Sequence, residues 1–173
     1  MMSRSINKVI SYLLAVVFIL LITSPSQTHA QTLKGRAVIH IVPDNTRMVK
    51  VPGVSGQNLI LAHFKGLVFL NNGEIAEVMG AETIHRPKGS GRYLGYEVLT
   101  FSDGSTIMSK VEGSNKPSED GKSVQFEGTF TYIQGTGRFA GIEGSGELEG
   151  RSYIASGSGG YYDFEGTYSV PSN

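Results

Sequence analysis

The sequence predicts an all-β domain, about eight antiparallel strands closed into a barrel behind a cleaved leader. Three observations carry that expectation. Apolar and polar residues alternate with period 2 in segment after segment beyond residue 30, at regular spacing. All 23 glycines lie beyond residue 30 as well, and several fall inside the alternating segments. No amphipathic helical pattern occurs in that region. Interior glycines weaken a flat strand but permit the sharp bends of a small barrel, and closure removes exposed strand edges.

The leader comes first. Arg4 and Lys8 form a basic start, and Val9 to Ile22 is an uncharged apolar run broken only by Ser11. Pro25 stops any helix, and Thr28-His29-Ala30 supplies small residues where a signal peptidase reads. Residues 1–30 are therefore expected to be a secretory signal peptide and 31–173 a single barrel domain, secreted or periplasmic. The apolar run is shorter than the ~20 residues that span a bilayer, so no stable membrane anchor is expected. The chain has no cysteine. An exported domain without disulfides must be held by its core alone.

Removing the leader takes two basic residues, Arg4 and Lys8, and no acidic one. That leaves 13 basic against 15 acidic residues. Such near-neutrality argues against a nucleic-acid partner, which normally leaves a basic footprint.

The strands follow in order. Leu33 to Val42 alternates. Pro43 to Gln57 is a long connection with a short strand expected around Met48 to Val51. Asn58 to Leu70 is apolar on both faces, which predicts burial on both sides or a subunit contact. Asn71-Asn72-Gly73 is a hairpin signal before Glu74 to His85, and Asp103-Gly104 is another between Tyr93–Phe101 and Ser105–Glu112. The polar stretch Gly113 to Lys122 reads as a solvated loop. In Val124 to Ile133, Phe126, Phe130 and Tyr132 point one way and Gln125, Glu127 and Thr129 the other. The last segment repeats the scheme, with Tyr162, Phe164 and Tyr168 inward.

One heptapeptide recurs. Gly135-Thr136-Gly137-Arg138-Phe139-Ala140-Gly141 has a near-copy at Gly89-Ser90-Gly91-Arg92-Tyr93-Leu94-Gly95. Shared glycines predict one recurring turn with positive φ or close strand approach. Together with Phe126-Glu127-Gly128-Thr129-Phe130-Thr131-Tyr132 before it and Glu143-Gly144-Ser145-Gly146 after it, the second copy resembles the allene oxide cyclase-like and dirigent-like barrel superfamily. Tyr161 to Tyr168 is similar to that superfamily's closing strand. The resemblance implies an eight-stranded antiparallel barrel with an apolar cavity, often assembled as a trimer. Its enzymes steer reactive intermediates, such as an allene oxide or coupled phenoxy radicals, largely by shape. The motif marks a turn, so no catalytic residue is transferred from it.

Signatures of cofactor chemistry are missing. His40, His63 and His85 lack the close spacing of a zinc site. After Gly135-Thr136-Gly137 the third glycine, Gly141, falls one place too late for a dinucleotide loop and no helix pattern follows, and no G-x-S-x-G elbow occurs. No metal or cofactor is expected. Arg92 and Arg138 read better as guanidinium groups over rings or strand ends than as anion traps.

Among the carboxylates set in strand patterns, Glu82, Glu97 and Glu127, the last shares its face with Gln125 and Thr129 and points to solvent. Glu97 shares its face with Tyr93, Leu99 and Phe101. A carboxylate inside an apolar barrel has a perturbed pKa and can do acid–base work, so Glu97 and Tyr93 are the candidate catalytic pair. Phe130, Tyr132, Phe164 and Tyr168 are the candidate ligand-binding residues. Eight-stranded barrels are either filled by side chains or leave room for one small ligand. Three functions remain open on these residues: binding a small apolar or aromatic molecule, cofactor-free cyclisation or isomerisation, and assembly of a homo-oligomer through the Leu59–Leu70 strand.

Overall fold

The structure, a computed structural model, describes residues 30–87, 90–153 and 159–171. The expected leader up to His29 lies outside the described residues. Nine strands follow one another: β1 (Gln31–Ile41), β2 (Arg47–Lys50), β3 (Gln57–Leu70), β4 (Ile75–Pro87), β5 (Gly91–Phe101), β6 (Thr106–Pro117), β7 (Ser123–Gly135), β8 (Glu143–Tyr153) and β9 (Gly159–Ser169). From β3 to β9 each pairs antiparallel with the next, β9 pairs with β1, and β1 pairs with β3. The sheet thus closes into an eight-stranded barrel. Closure leaves no edge along most of its circumference.

β2 is the ninth strand and continues the line of β1. β1 uses the second half of β3, with Ile41 opposite Phe64, and β2 uses the first half, with Arg47 opposite Leu61. The six steps of chain from Ile41 to Arg47 span three along β3, from Phe64 to Leu61. The excess is absorbed by a single 3-10 turn at Pro43–Asn45, whose proline suits the first position of such a turn.

The alternation read from sequence is the inside–outside alternation of the wall. Leu33, Ala37, Phe64, Val68, Val78, Tyr93, Leu99, Ile107, Val111, Phe130, Leu148 and Phe164 are buried in one continuous core. Both hairpin signals are turns, with Gly73 at φ 88° and Gly104 at φ 80°. Glu127 is exposed.

Two expectations need correction. The polar stretch after Glu112 is not all loop: β6 runs on to Pro117, pairing Gly113 with Gly128 and Asn115 with Phe126. Partner strand β7 supplies the ladder that the local composition does not advertise. The recurring heptapeptide is also not one recurring turn. In the second copy Gly137 and Gly141 have φ of 58° and 74° and build a tight 3-10 turn. In the first copy Gly91 and Gly95 are extended residues of β5, where Gly95 meets the expectation of close strand approach, since a Cβ there would stand 2.6 Å from the Ala81 carbonyl oxygen, while Gly89 lies outside the described residues. Pairing of β5 along its full length with β4 and β6 holds that segment extended.

Candidate functional site

The two ends of the barrel differ. One is made by the tight turns at Asn71–Glu74, Ser102–Ser105 and Thr136–Ile142. Phe139 plugs it, with its ring 4.8 Å from that of Phe101 and 5.9 Å from that of Tyr168. The Arg138 guanidinium lies over the Phe101 and Phe139 rings, at 4.8 and 4.9 Å, and donates to Glu74 Oε1 at 2.7 Å. Arg138 therefore clamps the plug, as its sequence reading suggested. The other end carries the longer connections and is where the barrel is hollow.

A cavity of about 270 Å³ opens there. Its mouth is aliphatic, with Ile39, Ile41, Met48, Ile60 and Ile84. Its walls carry the rings of Phe64, Tyr93, Phe126 and Tyr162. Phe126 stands edge-on to Tyr93 (6.2 Å, 84°) and to Tyr162 (6.4 Å, 63°). The polar groups within reach are Glu82, Glu97, Asn115, Thr46 and Ser152.

Glu97 is the chemical centre of this cavity. β5 points it inward between Gly95 and Leu99, and only 8% of its surface is exposed. The Tyr162 hydroxyl, brought from β9, donates to Glu97 Oε2 at 2.7 Å. Burial pushes the carboxyl up to about 7, and the hydrogen bond from Tyr162 pulls against that shift. Burial also raises the Tyr162 phenol far above its ordinary value, and the neighbouring carboxylate adds to the rise. The pair therefore holds a carboxyl that exchanges its proton near neutrality beside a phenol that stays protonated.

The candidate residues from sequence fall into two groups. Glu97 and Tyr93 both line the cavity. They are not bonded to each other: the buried Tyr93 hydroxyl has no hydrogen-bond partner among the described residues. It lies against the paired glycines Gly113 and Gly128, where a Cβ on either would collide with it. Phe130, Tyr132, Phe164 and Tyr168 are inside the barrel but do not line the cavity. They pack on one another toward the plugged end, Phe130 against Tyr132 (5.3 Å) and Phe164 (6.1 Å), Tyr132 against Tyr168 (6.3 Å). Sequence reasoning did not mark Tyr162 as the partner of Glu97, nor Asn115 as a cavity residue. The alternation Ile107, Ser109, Val111, Gly113, Asn115 was the signal for the second.

His40, His63 and His85 sit on β1, β3 and β4, and among the described residues no group of three His, Asp or Glu side chains is placed to hold a metal. A second hollow, lined by Ser114, Glu127, Glu149 and Arg151 among others, is more polar and shares Asn115 and Phe126 with the cavity.

Fold and site together define a small antiparallel barrel with a hollow end and a buried carboxyl facing the hollow. No protein-family model matches the chain, and no curated protein matches it. Among solved structures it is similar to a pterocarpan synthase dirigent protein, with 13% identity and a TM-score of 0.48 over 86% of this chain and 96% of that one.

Proposed function

We propose that this protein binds a small, largely apolar ring-containing molecule in the hollow end of its barrel, with one polar group of the ligand held at Glu97 and Tyr162. The observation that carries this reading is the cavity itself, apolar at the mouth and aromatic in its walls, with the bonded Glu97–Tyr162 pair within. Ligand sites generally combine such a lining with a few placed polar groups. Cavities of ~150 Å³ accept benzene, so about 270 Å³ suits one or two rings rather than a long acyl chain. Thermal melts test it. 2-Naphthol should raise the melting temperature, because a ligand of the folded state stabilises it by mass action, and palmitate should not. A panel of one- and two-ring phenols and terpenoids that leaves the melt unmoved overturns the reading.

One observation favours an enzymatic version, a cofactor-free cyclase or isomerase, as the resemblance of the Gly135–Gly146 segment also implies. A carboxyl titrating at about 7 is poised to give and take a proton at working pH. A ring-sized cavity holds the reacting atoms in one conformation. Native mass spectrometry of protein from its own host would identify a bound molecule. Conversion of that molecule by the native protein, lost in Glu97→Gln with affinity kept, would support the enzyme. Unchanged ligand in both would leave binding alone.

Assembly is compatible with either. The outer faces of β3, β4 and β5 expose Leu67, Phe69, Ile75, Met79, Leu94 and Tyr96, each more than two-fifths exposed. The wall of β7, β8 and β9 carries Glu127, Glu147, Glu149, Asp163 and Glu165 instead. An exposed apolar wall of this kind can be covered by the same wall on a second copy.

A further inference from the structure

Asn115 is one of the polar cavity residues not engaged by the Glu97–Tyr162 pair. It is only 6% exposed, and its Oδ1 has no hydrogen-bond partner among the described residues. Buried polar atoms are nearly always paired, so an unpaired one facing a cavity points to a partner that arrives with a ligand or a water. The register shows where it stands. Asn115 on β6 pairs with Phe126 on β7, Phe126 with Gly150 on β8, and Gly150 with Tyr162 on β9. Asn115 and Tyr162 therefore lie in one cross-strand row, three strand spacings apart, or about 14 Å of wall. The Phe126 ring stands between them. A flat ring lying along Phe126 has the Glu97–Tyr162 pair at one end and the Asn115 amide at the other.

We propose that Asn115 forms a second polar subsite of the cavity, so that the ligand is a compact one- or two-ring molecule with a hydrogen-bonding group at each end, the group at Asn115 being a donor. This rests on the ligand-binding reading. An amide carbonyl oxygen accepts from a hydroxyl or N–H, whereas an ether or an ionised carboxylate at that end brings only acceptors. Apolar ligands and those with a single head would leave Asn115 as unpaired as it is now, and a site built to pair a donor discriminates against ligands that lack it.

Calorimetric titration of the purified protein with four probes tests this: naphthalene, 2-naphthol, 2,6-dihydroxynaphthalene and 6-methoxy-2-naphthol. The diol should bind about three- to tenfold tighter than 2-naphthol, the range of one net hydrogen bond. The methoxy compound should gain nothing over 2-naphthol. In Asn115→Leu, and in Asn115→Ala as a less crowded variant, 2-naphthol should still bind and the advantage of the diol should vanish. Equal binding of diol and 2-naphthol to the native protein overturns the second subsite and leaves the ligand-binding reading standing. An advantage that persists in a folded variant overturns the role of Asn115, and a methoxy compound as tight as the diol overturns the donor requirement. Failure of all four probes to bind the native protein removes the ligand-binding reading and this inference with it. Should both variants unfold, the ranking of the four probes on the native protein decides.

Discussion

Tyr162 and Glu97 stand 65 positions apart in the chain, on β9 and β5, and meet inside the barrel through a 2.7 Å hydrogen bond. The phenol donates and the carboxyl accepts. The bond is buried, so each partner has lost the water that would otherwise satisfy it. It ties together two strands that share no ladder, and it opposes the upward shift that burial imposes on the Glu97 carboxyl.

That carboxyl makes stability depend on pH in a definite direction. The Glu97 pKa is raised from 4.5 in a model compound to about 7 in the fold. Between those values the folded state holds the proton that the unfolded state has released. Its contribution is fully present below about 4.5, falls as pH rises toward 7, and is lost above it, by about 3 kcal/mol from the linkage relation. Urea unfolding at pH 5 and pH 8 should show a larger loss for the native protein than for Glu97→Gln. Equal slopes in the two would mean that Glu97 titrates normally.

Two tyrosine-to-phenylalanine changes should act oppositely. Tyr162→Phe leaves Glu97 buried with no donor and should cost ~1–3 kcal/mol. Tyr93→Phe removes a buried hydroxyl that has no partner and should be neutral or mildly stabilising. Chemical denaturation of both variants reads this directly, and a large loss from Tyr93→Phe would reveal a bound water or ligand at that hydroxyl.

The turn at the plugged end is demanding. Gly137 and Gly141 both have positive φ, and a Cβ on Gly141 would lie 2.9 Å from the Pro171 ring. Gly137→Val and Gly141→Val should each cost ~1–3 kcal/mol. Gly91, the counterpart of Gly137 in the first heptapeptide, is extended in β5, so Gly91→Val should cost less. Denaturation midpoints of the three variants give the ranking, and a Gly91 variant as damaged as the others would contradict it.

Assembly is tested at Phe69 and Met79, which project from β3 and β4 with about half or more of their surface exposed. Light scattering should find an oligomer of the native protein, and Phe69→Glu with Met79→Glu should yield a folded monomer. A native protein that is monomeric at all concentrations rules the second copy out.

The leader is tested by intact mass. Protein recovered from outside the cytoplasm of its host should begin at Gln31. A species retaining residues 1–30 in the membrane fraction would contradict the export reading.

Alternation along single strands was enough to place most of this barrel. Periodicity of two is a local property, and it put Glu97 on the same face as Tyr93, Leu99 and Phe101 without any knowledge of neighbours. Asn71-Asn72-Gly73 and Asp103-Gly104 were legible for the same reason, since their positive φ is a local demand that glycine meets. Tertiary structure decided the rest. Whether an inward aromatic fills or lines depends on its level along the barrel axis: register sends Phe130, Tyr132, Phe164 and Tyr168 to the plugged end and Phe126 and Tyr162 to the hollow one. Asn115 was concealed in a polar run because β7, not its own sequence, keeps β6 extended there. Two nearly identical heptapeptides adopt different backbones, since one is held between two full-length strands and the other is not. The Glu97–Tyr162 bond exists only after closure, because strands four apart around the sheet are brought face to face by the ring and by nothing in the chain between them.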